Sequence, residues 1–353
     1  MQPDPATATP KGDALMTPKE WLVTLVCAVV LVVATPALWR MVWPLQVEPD
    51  HRVPFAQSAD HWHFARHSEH AAAHADVLLL GDSVIWGAYA RSDESLSHYL
   101  AERTGLRCAN LGFNGAHPAA LYGMVAHHGD AIRDTTVLLH CNLLWLSSAR
   151  HDLSDDKEHA FNHPELIAQF DPEIRVYQAD GTTRLGRALE QQSELAAFRR
   201  HLQQAHFGQR DIPSWTLANP YRWRGEAGPT ATADDEPAET PLSWTERGIA
   251  VQDFDWRSLA DSVQWRYFRA LVALLLERGN RVVVLVGPFN EHLLTPTSQR
   301  AYAALRSEVV SWLTEQGVEV LAPGALPSAT YADASHPLAE GYRQLAEAIE
   351  WPR

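Results

Sequence analysis

The sequence predicts an α/β fold with a parallel five-stranded sheet, preceded by one membrane-spanning helix. From residue 76 onward, short apolar runs alternate with longer helical patterns. That alternation is typical of a parallel sheet whose strands are joined by right-handed helical crossovers. Ahead of it, residues 21 to 39 contain no charged side chain. An uncharged segment of this length can cross the hydrocarbon core of a bilayer.

The composition is that of an acidic globular protein. The chain has 353 residues, of which 46% are hydrophobic, enough for a sizeable core. Acidic residues outnumber basic ones by 43 to 29, giving a formal net charge of -14. Because nucleic-acid affinity depends on Lys and Arg neutralising phosphates, this charge balance excludes a nucleic-acid partner.

The apolar segment reads WLVTLVCAVVLVVATPALW and is predicted to be an uncleaved anchor in the lipid bilayer. Trp21, Trp39 and Trp43 stand where interfacial aromatic residues usually lie. A signal peptide is the alternative, but the apolar run is longer than a typical signal core and lacks a clear cleavage site. We therefore predict a disordered tail over 1–20, a transmembrane anchor over 21–39 and a connector over 40–75.

The sequence predicts the orientation of the anchor in the membrane only weakly, because basic residues are nearly balanced on its two sides. Lys11 and Lys19 precede it, and Arg40 and Arg52 follow it. A short tail in the cytoplasm with a large domain outside is the simpler arrangement. It predicts a single-pass membrane protein with a periplasmic or otherwise extracytoplasmic domain.

The connector contains four histidines on one helical face, at steps of four, three and four residues: His63, His67, His70 and His74. Such spacing can bind a metal. No accompanying carboxylate signature is present, so a solvated polar face is the favoured interpretation. The sequence predicts no metal site and no cofactor.

Five apolar runs are predicted as strands, at 76–81, 106–112, 135–146, 281–288 and 318–324. Helices are predicted at 92–105, 184–206, 256–278, 296–316 and 337–349. Between the third and fourth strands lies an insertion at about 148–255, whose acidic stretch 225–241 has the composition of a flexible loop. The predicted α/β domain as a whole covers 76–353.

Polar residues follow these strands, where functional groups gather in an open parallel sheet. They are Gly81, Asp82 and Ser83 after the first strand, Asn110 to Gly115 after the second, Asn142 after the third, and Asp333 and His336 before the last helix. A serine nucleophile needs a base within hydrogen-bonding reach, and histidine suits this task at neutral pH. Asp333 can accept the second imidazole N–H of His336. The backbone N–H groups of Ser83 and Gly115, with the Asn142 amide, are candidate oxyanion donors.

Each residue also has a simpler interpretation. Ser83 can be a turn residue, Asp333 a helix cap beside a surface histidine, and Asn142 an ordinary polar strand end. His117 and His140 are predicted as a loop histidine and a satisfied core histidine.

These blocks, in this order, resemble the SGNH (GDSL-type) hydrolase family. The matching residues are Gly81, Asp82, Ser83 and Gly87 in the first block, Gly115 in the second, Asn142 in the third, and Asp333, His336, Pro337, Gly341 and Tyr342 in the last. The resemblance covers roughly 76–147 and 281–350. It implies a flavodoxin-like three-layer α/β/α sandwich, with Ser83, Asp333 and His336 as catalytic residues and Gly81 and Asp82 supporting them. The usual third block, Gly-x-Asn-Asp, is changed here to His140-Cys141-Asn142-Leu143.

With its membrane anchor, the chain resembles two classes of tethered SGNH protein. One class accompanies membrane-bound O-acyltransferases in polysaccharide acylation, and the other consists of anchored carbohydrate esterases. This resemblance implies an acyl-ester hydrolase or O-acyltransferase acting on an extracytoplasmic carbohydrate, with an acetyl ester as the favoured substrate. A catalytically inactive binding or scaffold protein is the alternative. Three aromatic residues of the insertion, Trp215, Tyr221 and Trp223, either stack on sugars or belong to the core.

The cysteines are predicted to be free, buried thiols. In the strand order 2-1-3-4-5, the first strand separates Cys108 from Cys141 by two spacings of about 4.8 Å. That separation exceeds the ~7 Å limit between the Cα atoms of a disulfide.

Overall fold

The computed structural model describes residues 16–157, 163–208, 210–220 and 241–351. The chain divides into two compact units, 1–44 and 45–353. The first unit contains helix α1, Pro18–Val42, which is long and apolar enough to cross a membrane. It includes the predicted anchor and begins three residues inside the predicted tail. The rest of that tail up to residue 15, and the acidic stretch except for Pro241, lie outside the described residues.

The second unit is built on one parallel sheet of five strands. They are β1 Val77–Gly81, β2 Cys108–Gly112, β3 Thr136–Cys141, β4 Arg281–Val286 and β5 Glu319–Leu321. The order is β2-β1-β3-β4-β5, and every neighbouring pair is parallel. This topology confirms the predicted fold class. The third strand is shorter than predicted, because Asn142 leaves it and caps a short 3-10 turn at Leu143–Leu146.

Helices cover both faces of the sheet. In the described residues of this unit they are α2 His61–His74, α3 Ser83–Trp86, α4 Leu96–Thr104, α5 Pro118–His128, α6 Gly181–Gln191, α7 Glu194–His201, α8 Ile212–Ala218, α9 Val263–Glu277, α10 Pro296–Glu315 and α11 Ala339–Ala348. Leu78 and Val284 pack in the cluster that includes α5, α9 and α10. Leu79 and Val283 pack with α4 and α11. Because adjacent strand residues point to opposite faces, these two clusters make a three-layer sandwich.

The predicted helix at 184–206 is two α-helices, α6 and α7, followed by a π-helical turn at Leu202–His206. Ser193 interrupts it and caps α7 by accepting a hydrogen bond from the Ala196 N–H at 3.2 Å. The insertion is also tied to the sandwich near its start. Asp152, which is fully buried, accepts hydrogen bonds from the Ser262 hydroxyl and from the Gln264 N–H at the start of α9.

The predicted solvated histidine face on the connector is wrong for two of its members. Only 7% of His63 and 2% of His67 are exposed, because α2 packs against α5 and α7 as well as against β2. His67 Nε2 lies 3.0 Å from the Asn110 carbonyl oxygen. His74 remains exposed.

The cysteines follow the prediction in being free thiols. Cys141 is buried and Cys108 is partly buried, on strands separated by β1. Burial raises the pKa of the Cys108 thiol to about 12 and also raises that of Cys141. Both thiols are therefore protonated and unreactive at neutral pH.

Candidate active site

A short turn at the carboxyl end of β1 presents the serine side chain. Asp82 caps α3 by accepting a hydrogen bond from the Val84 N–H at 2.9 Å, which makes Ser83 the first residue of that helix. Gly87 ends the helix in the left-handed region at φ +91°, where a glycine is favoured. The Arg52 guanidinium donates to the carbonyl oxygens of Trp86 and Gly87 at 2.9 and 3.0 Å. The turn is thus held at both ends.

Ser83, His336 and Asp333 form a continuous hydrogen-bonded chain. Ser83 Oγ lies 2.8 Å from His336 Nε2, and His336 Nδ1 lies 2.8 Å from each Asp333 carboxylate oxygen. Asp333 Oδ1 also accepts hydrogen bonds from the N–H groups of Ser335 and His336, both at 3.0 Å. Asn290 fixes the same segment by donating to the Asp333 carbonyl oxygen at 3.0 Å. The predicted contact between the serine and the histidine is confirmed.

The protonation states follow from this geometry. Burial alone would raise the pKa of Asp333, but the hydrogen bond and charge of His336 outweigh it and the pKa is lowered. For His336, burial would lower the pKa, but the bond and charge of Asp333 prevail and raise it. An ionised carboxylate only accepts hydrogen bonds, so His336 Nδ1 carries the proton. In the neutral ring, the Nε2 lone pair then faces the Ser83 hydroxyl.

This arrangement predicts the pH dependence of any reaction that uses His336 as base. The kcat/KM should fall as the pH falls through the pKa of His336, which lies above its ordinary value of 6.5. Asp333→Asn should move this acidic limb to lower pH, because the carboxylate that raises the pKa is gone. It should also reduce kcat by about 10⁴ through loss of the correct tautomer. Rate measurements on an acetyl ester from pH 5 to 9 test this; an unmoved limb contradicts it.

A buried carboxylate organises the neighbouring groups. Asp82 is 2% exposed. Besides the Val84 N–H, it accepts from His140 Nδ1 at 3.1 Å, Asn142 Nδ2 at 2.9 Å and Trp145 Nε1 at 3.1 Å. Burial would raise the pKa of Asp82, but His140 and these hydrogen bonds outweigh it, and the pKa is well below its usual range. Asp82 is therefore ionised and satisfied by four donors.

The candidate oxyanion donors lie after the carboxyl ends of β1, β2 and β3. The Ser83 N–H is the first of α3, where helices have no internal acceptor. Gly115 lies in a loop after β2 and has φ +74°. A hydrogen bond from the Phe113 N–H to the Gly81 carbonyl oxygen, at 3.2 Å, ties this loop to the end of β1. The Asn142 amide has two hydrogens, one of which is directed at Asp82. Their roles as oxyanion donors remain predictions.

Several neighbours of the triad formed by Ser83, His336 and Asp333 were not predicted from the sequence. His140 is buried as predicted, and its Nδ1 is hydrogen-bonded to Asp82 of the site, but its Nε2 has no hydrogen-bond partner among the described residues. The Tyr89 ring lies 5.6 Å from the His336 ring, and the Arg247 guanidinium lies 5.2 Å from the Tyr89 ring. Arg247 belongs to the insertion, so the insertion reaches the site. No pattern in the sequence predicts the contact between Arg247 and Tyr89.

Other candidate residues lie apart from these contacts or beyond the described chain. Trp215 is buried against Phe207, with ring centroids 5.2 Å apart, which favours a packing role over sugar stacking. Tyr221 and Trp223 lie outside the described residues. His61, His163 and Glu165, which are not among the residues singled out from the sequence, place ligand atoms within 4.8 Å of one another.

No family model and no curated protein matches the chain. Among solved structures, it is similar to a G-D-S-L family protein from Desulfitobacterium hafniense DCB-2. The two share 11% sequence identity and a TM-score of 0.35, over 77% of this chain and 95% of that chain. A likeness this distant leaves the functional argument to the geometry of the site.

Proposed function

We propose that this protein is a serine-dependent acyl-ester hydrolase or O-acyltransferase. The observation that carries the proposal is the chain from Ser83 Oγ through His336 to Asp333, with 2.8 Å at each step. His336 Nε2 takes the hydroxyl proton as Oγ attacks the ester carbonyl carbon. The alcohol then leaves with that proton, and an acyl-serine remains. Water or a sugar hydroxyl, deprotonated by the same nitrogen, attacks the acyl-serine; the Oγ–acyl bond breaks, the proton passes from His336 to Ser83 Oγ, and a free acid or a new ester is released.

The negative charge that develops on the carbonyl oxygen requires donors in place beforehand. The proposed donors are the N–H groups of Ser83 and Gly115 and the second amide hydrogen of Asn142. Asp82 is a positioning residue in this scheme, because it holds both the turn that contains Ser83 and the amide of Asn142.

The Asn142 amide gives a direct test of the oxyanion site. Asn142→Ala should lower kcat by about 10²–10³, or ~2.7–4 kcal/mol of transition-state stabilisation. KM should change little, because the charge appears only after attack. Steady-state kinetics on an acetyl ester measure the effect, with thermal unfolding as a check that the variant is folded. A wild-type kcat would remove Asn142 from the site.

We further propose that the substrate is an acylated carbohydrate outside the cytoplasm and that a membrane-bound O-acyltransferase is a partner. The apolar helix α1 supports a membrane location, and the resemblance to tethered SGNH proteins supports this substrate class. The choice between hydrolysis and transfer is tested by adding sugar acceptors to an acetyl-ester assay. Acetylated acceptor indicates transfer, whereas acetate alone indicates hydrolysis.

The proposed orientation has its own test. Protease added to intact cells or spheroplasts should digest the domain that follows α1, because this domain faces away from the cytoplasm. A cytoplasmic protein in the same cells is the control for lysis. Protection of the domain until the cells are lysed would reverse the assignment.

A non-catalytic binding or scaffold protein is the second candidate, and the changed third block favours it. His140 stands where the family has glycine, and both His140 and Asn142 are bonded to Asp82. A fluorophosphonate probe separates the two candidates, because it reacts only with an activated serine. Labelling mapped to Ser83 supports the enzyme; a folded protein that resists labelling supports the scaffold.

A further inference from the structure

Outside the triad, two histidines and a glutamate converge in the interior of the second unit. His61 is the first residue of α2, and His163 and Glu165 belong to the insertion. Their exposed fractions are only 3%, 6% and 7%. One ligand atom from each lies within 4.8 Å of the other two, and His61 Nε2 is 3.5 Å from Glu165 Oε1. Nothing in the proposed acyl chemistry uses these groups.

Two ring nitrogens of this cluster lack a hydrogen-bond partner among the described residues. They are His61 Nε2 and His163 Nδ1. Buried polar atoms are normally satisfied, so these two nitrogens, on rings whose centroids are 6.3 Å apart, are open to a ligand. The other nitrogen of His163, Nε2, lies 2.8 Å from the Asn114 carbonyl oxygen and must donate its hydrogen to it. Nδ1 of the neutral ring is then a lone pair, as in metal-binding histidines oriented by a backbone carbonyl.

The cluster also has space for an ion. A cavity of about 20 Å³ adjoins the cluster on the side of His61 and Glu165, where His128 and Arg200 also line it; His163 is not among its lining residues. That volume holds one water-sized group. The His128 ring centroid is 5.0 Å from that of His61, so a further imidazole is close to the same space.

We propose that His61, His163 and Glu165 form a zinc site, with His128 or a water at the fourth position. Two imidazoles and one carboxylate are a common ligand set for this ion. Zinc bonds of about 2.1 Å in a tetrahedron place ligand atoms ~3.4 Å apart, close to the separation of His61 Nε2 and Glu165 Oε1.

Two arginines compete with the ion for the carboxylate. Arg200 Nη1 lies 2.6 Å from Glu165 Oε1, and Arg187 Nη1 lies 3.3 Å from Oε2. Their side chains are 26% and 27% exposed, so either can turn toward solvent. Zinc therefore has to displace Arg200 from Oε1. If Glu165 is a zinc ligand, removal of Arg200 should tighten zinc binding. If Glu165 serves only to hold the arginines, removal of Arg200 should not do so.

The site would also stabilise the proposed oxyanion loop, and this part rests on the proposed function. Zinc on His163 Nδ1 fixes the ring whose Nε2 holds the Asn114 carbonyl. Asn114 directly precedes Gly115, whose N–H is a proposed oxyanion donor. Zinc thus acts as a structural ion that orders this loop, without contact with the reacting ester.

Zinc content and affinity of the full-length protein in detergent test the proposal. After chelator treatment and dialysis, wild type should rebind about one equivalent of zinc, rise in thermal stability, and show the visible absorption of a tetrahedral site with Co²⁺. His163→Gln and Glu165→Gln should weaken zinc binding at least ~100-fold. Arg200→Gln keeps every ligand and should tighten it about tenfold, because a charge-assisted competitor is removed. His74→Gln, at an exposed histidine, is the matched control and should bind as wild type.

Equal zinc binding by wild type and the ligand variants would overturn the proposal, as would looser binding by Arg200→Gln. Fluorophosphonate labelling keeps the two proposals separate. Zinc binding by a protein that resists labelling supports the metal site and rejects the enzyme. Slower labelling of Ser83 in zinc-free protein, restored by zinc, supports the link to the oxyanion loop; identical rates reject that link.

Discussion

Ser83→Ala is expected to reduce kcat on an acetyl ester by at least about 10⁴, to the residual level that binding and oxyanion donors supply alone. The hydroxyl is the group of the protein that forms a bond to the acyl carbon in the proposed mechanism. Its removal abolishes the acyl-serine, and His336 is left without the proton it is placed to accept. Initial rates on purified protein, followed by release of acetate, measure the change.

A matched control separates this effect from damage to the fold. Ser307 lies on an exposed position of α10, so Ser307→Ala changes the same chemical group away from the site. Both variants should unfold near the wild-type temperature, because partly exposed hydroxyls contribute little to stability. Retention of more than a tenth of the wild-type rate by Ser83→Ala would reject Ser83 as the nucleophile.

The residues of the triad could be predicted because Ser83 and the Asp333–His336 pair each stand in a short local motif, although the contact between the two motifs is long-range. The apolar run at Val77–Gly81 predicts a buried strand, and a parallel sheet gathers the residues that follow its strands at one edge. Asp333 and His336 are three residues apart, so one turn brings the carboxylate to the ring.

The rest depended on contacts between distant segments. Helix α5 was missed because it is apolar on most sides and buried, which leaves no amphipathic period to detect. The burial of His63 and His67 depends on packing of α2 against α5, α7 and β2, and histidine spacing is the same on a solvated or a buried face. The contact between Arg247 and Tyr89 likewise joins residues with no shared local pattern.

Asp82→Asn is expected to have the largest effect on stability, about 3–5 kcal/mol of unfolding free energy. The buried carboxylate accepts from four donors, including His140 and Asn142. An amide of the same shape offers one oxygen and one NH₂ group, so at least one N–H donor must face another donor. Because Asn142 also loses its orientation, kcat should fall in the same variant.

Chemical unfolding of the full chain in detergent, followed by tryptophan fluorescence, measures the difference. Asp76→Asn is the matched control: its carboxylate pairs with Arg107 at 2.6 Å and its side chain is 37% exposed, so the loss there should be no more than about 1 kcal/mol. Trp145→Phe, which removes one donor to Asp82, should cost less in the Asp82→Asn background than in wild type, because the donor has already lost its anionic acceptor.

The pH dependence of stability gives an independent check on Asp82. Its pKa is lowered on folding, so its contribution is present above the unfolded value of about 3.9 and is lost as the pH falls below it. Asp82→Asn has no such group to protonate, so its stability should decline less steeply than wild type below about pH 4. Parallel acid-unfolding curves for the two proteins would mean that Asp82 is not held ionised by His140 and its other donors, and the positioning role assigned to it would fail.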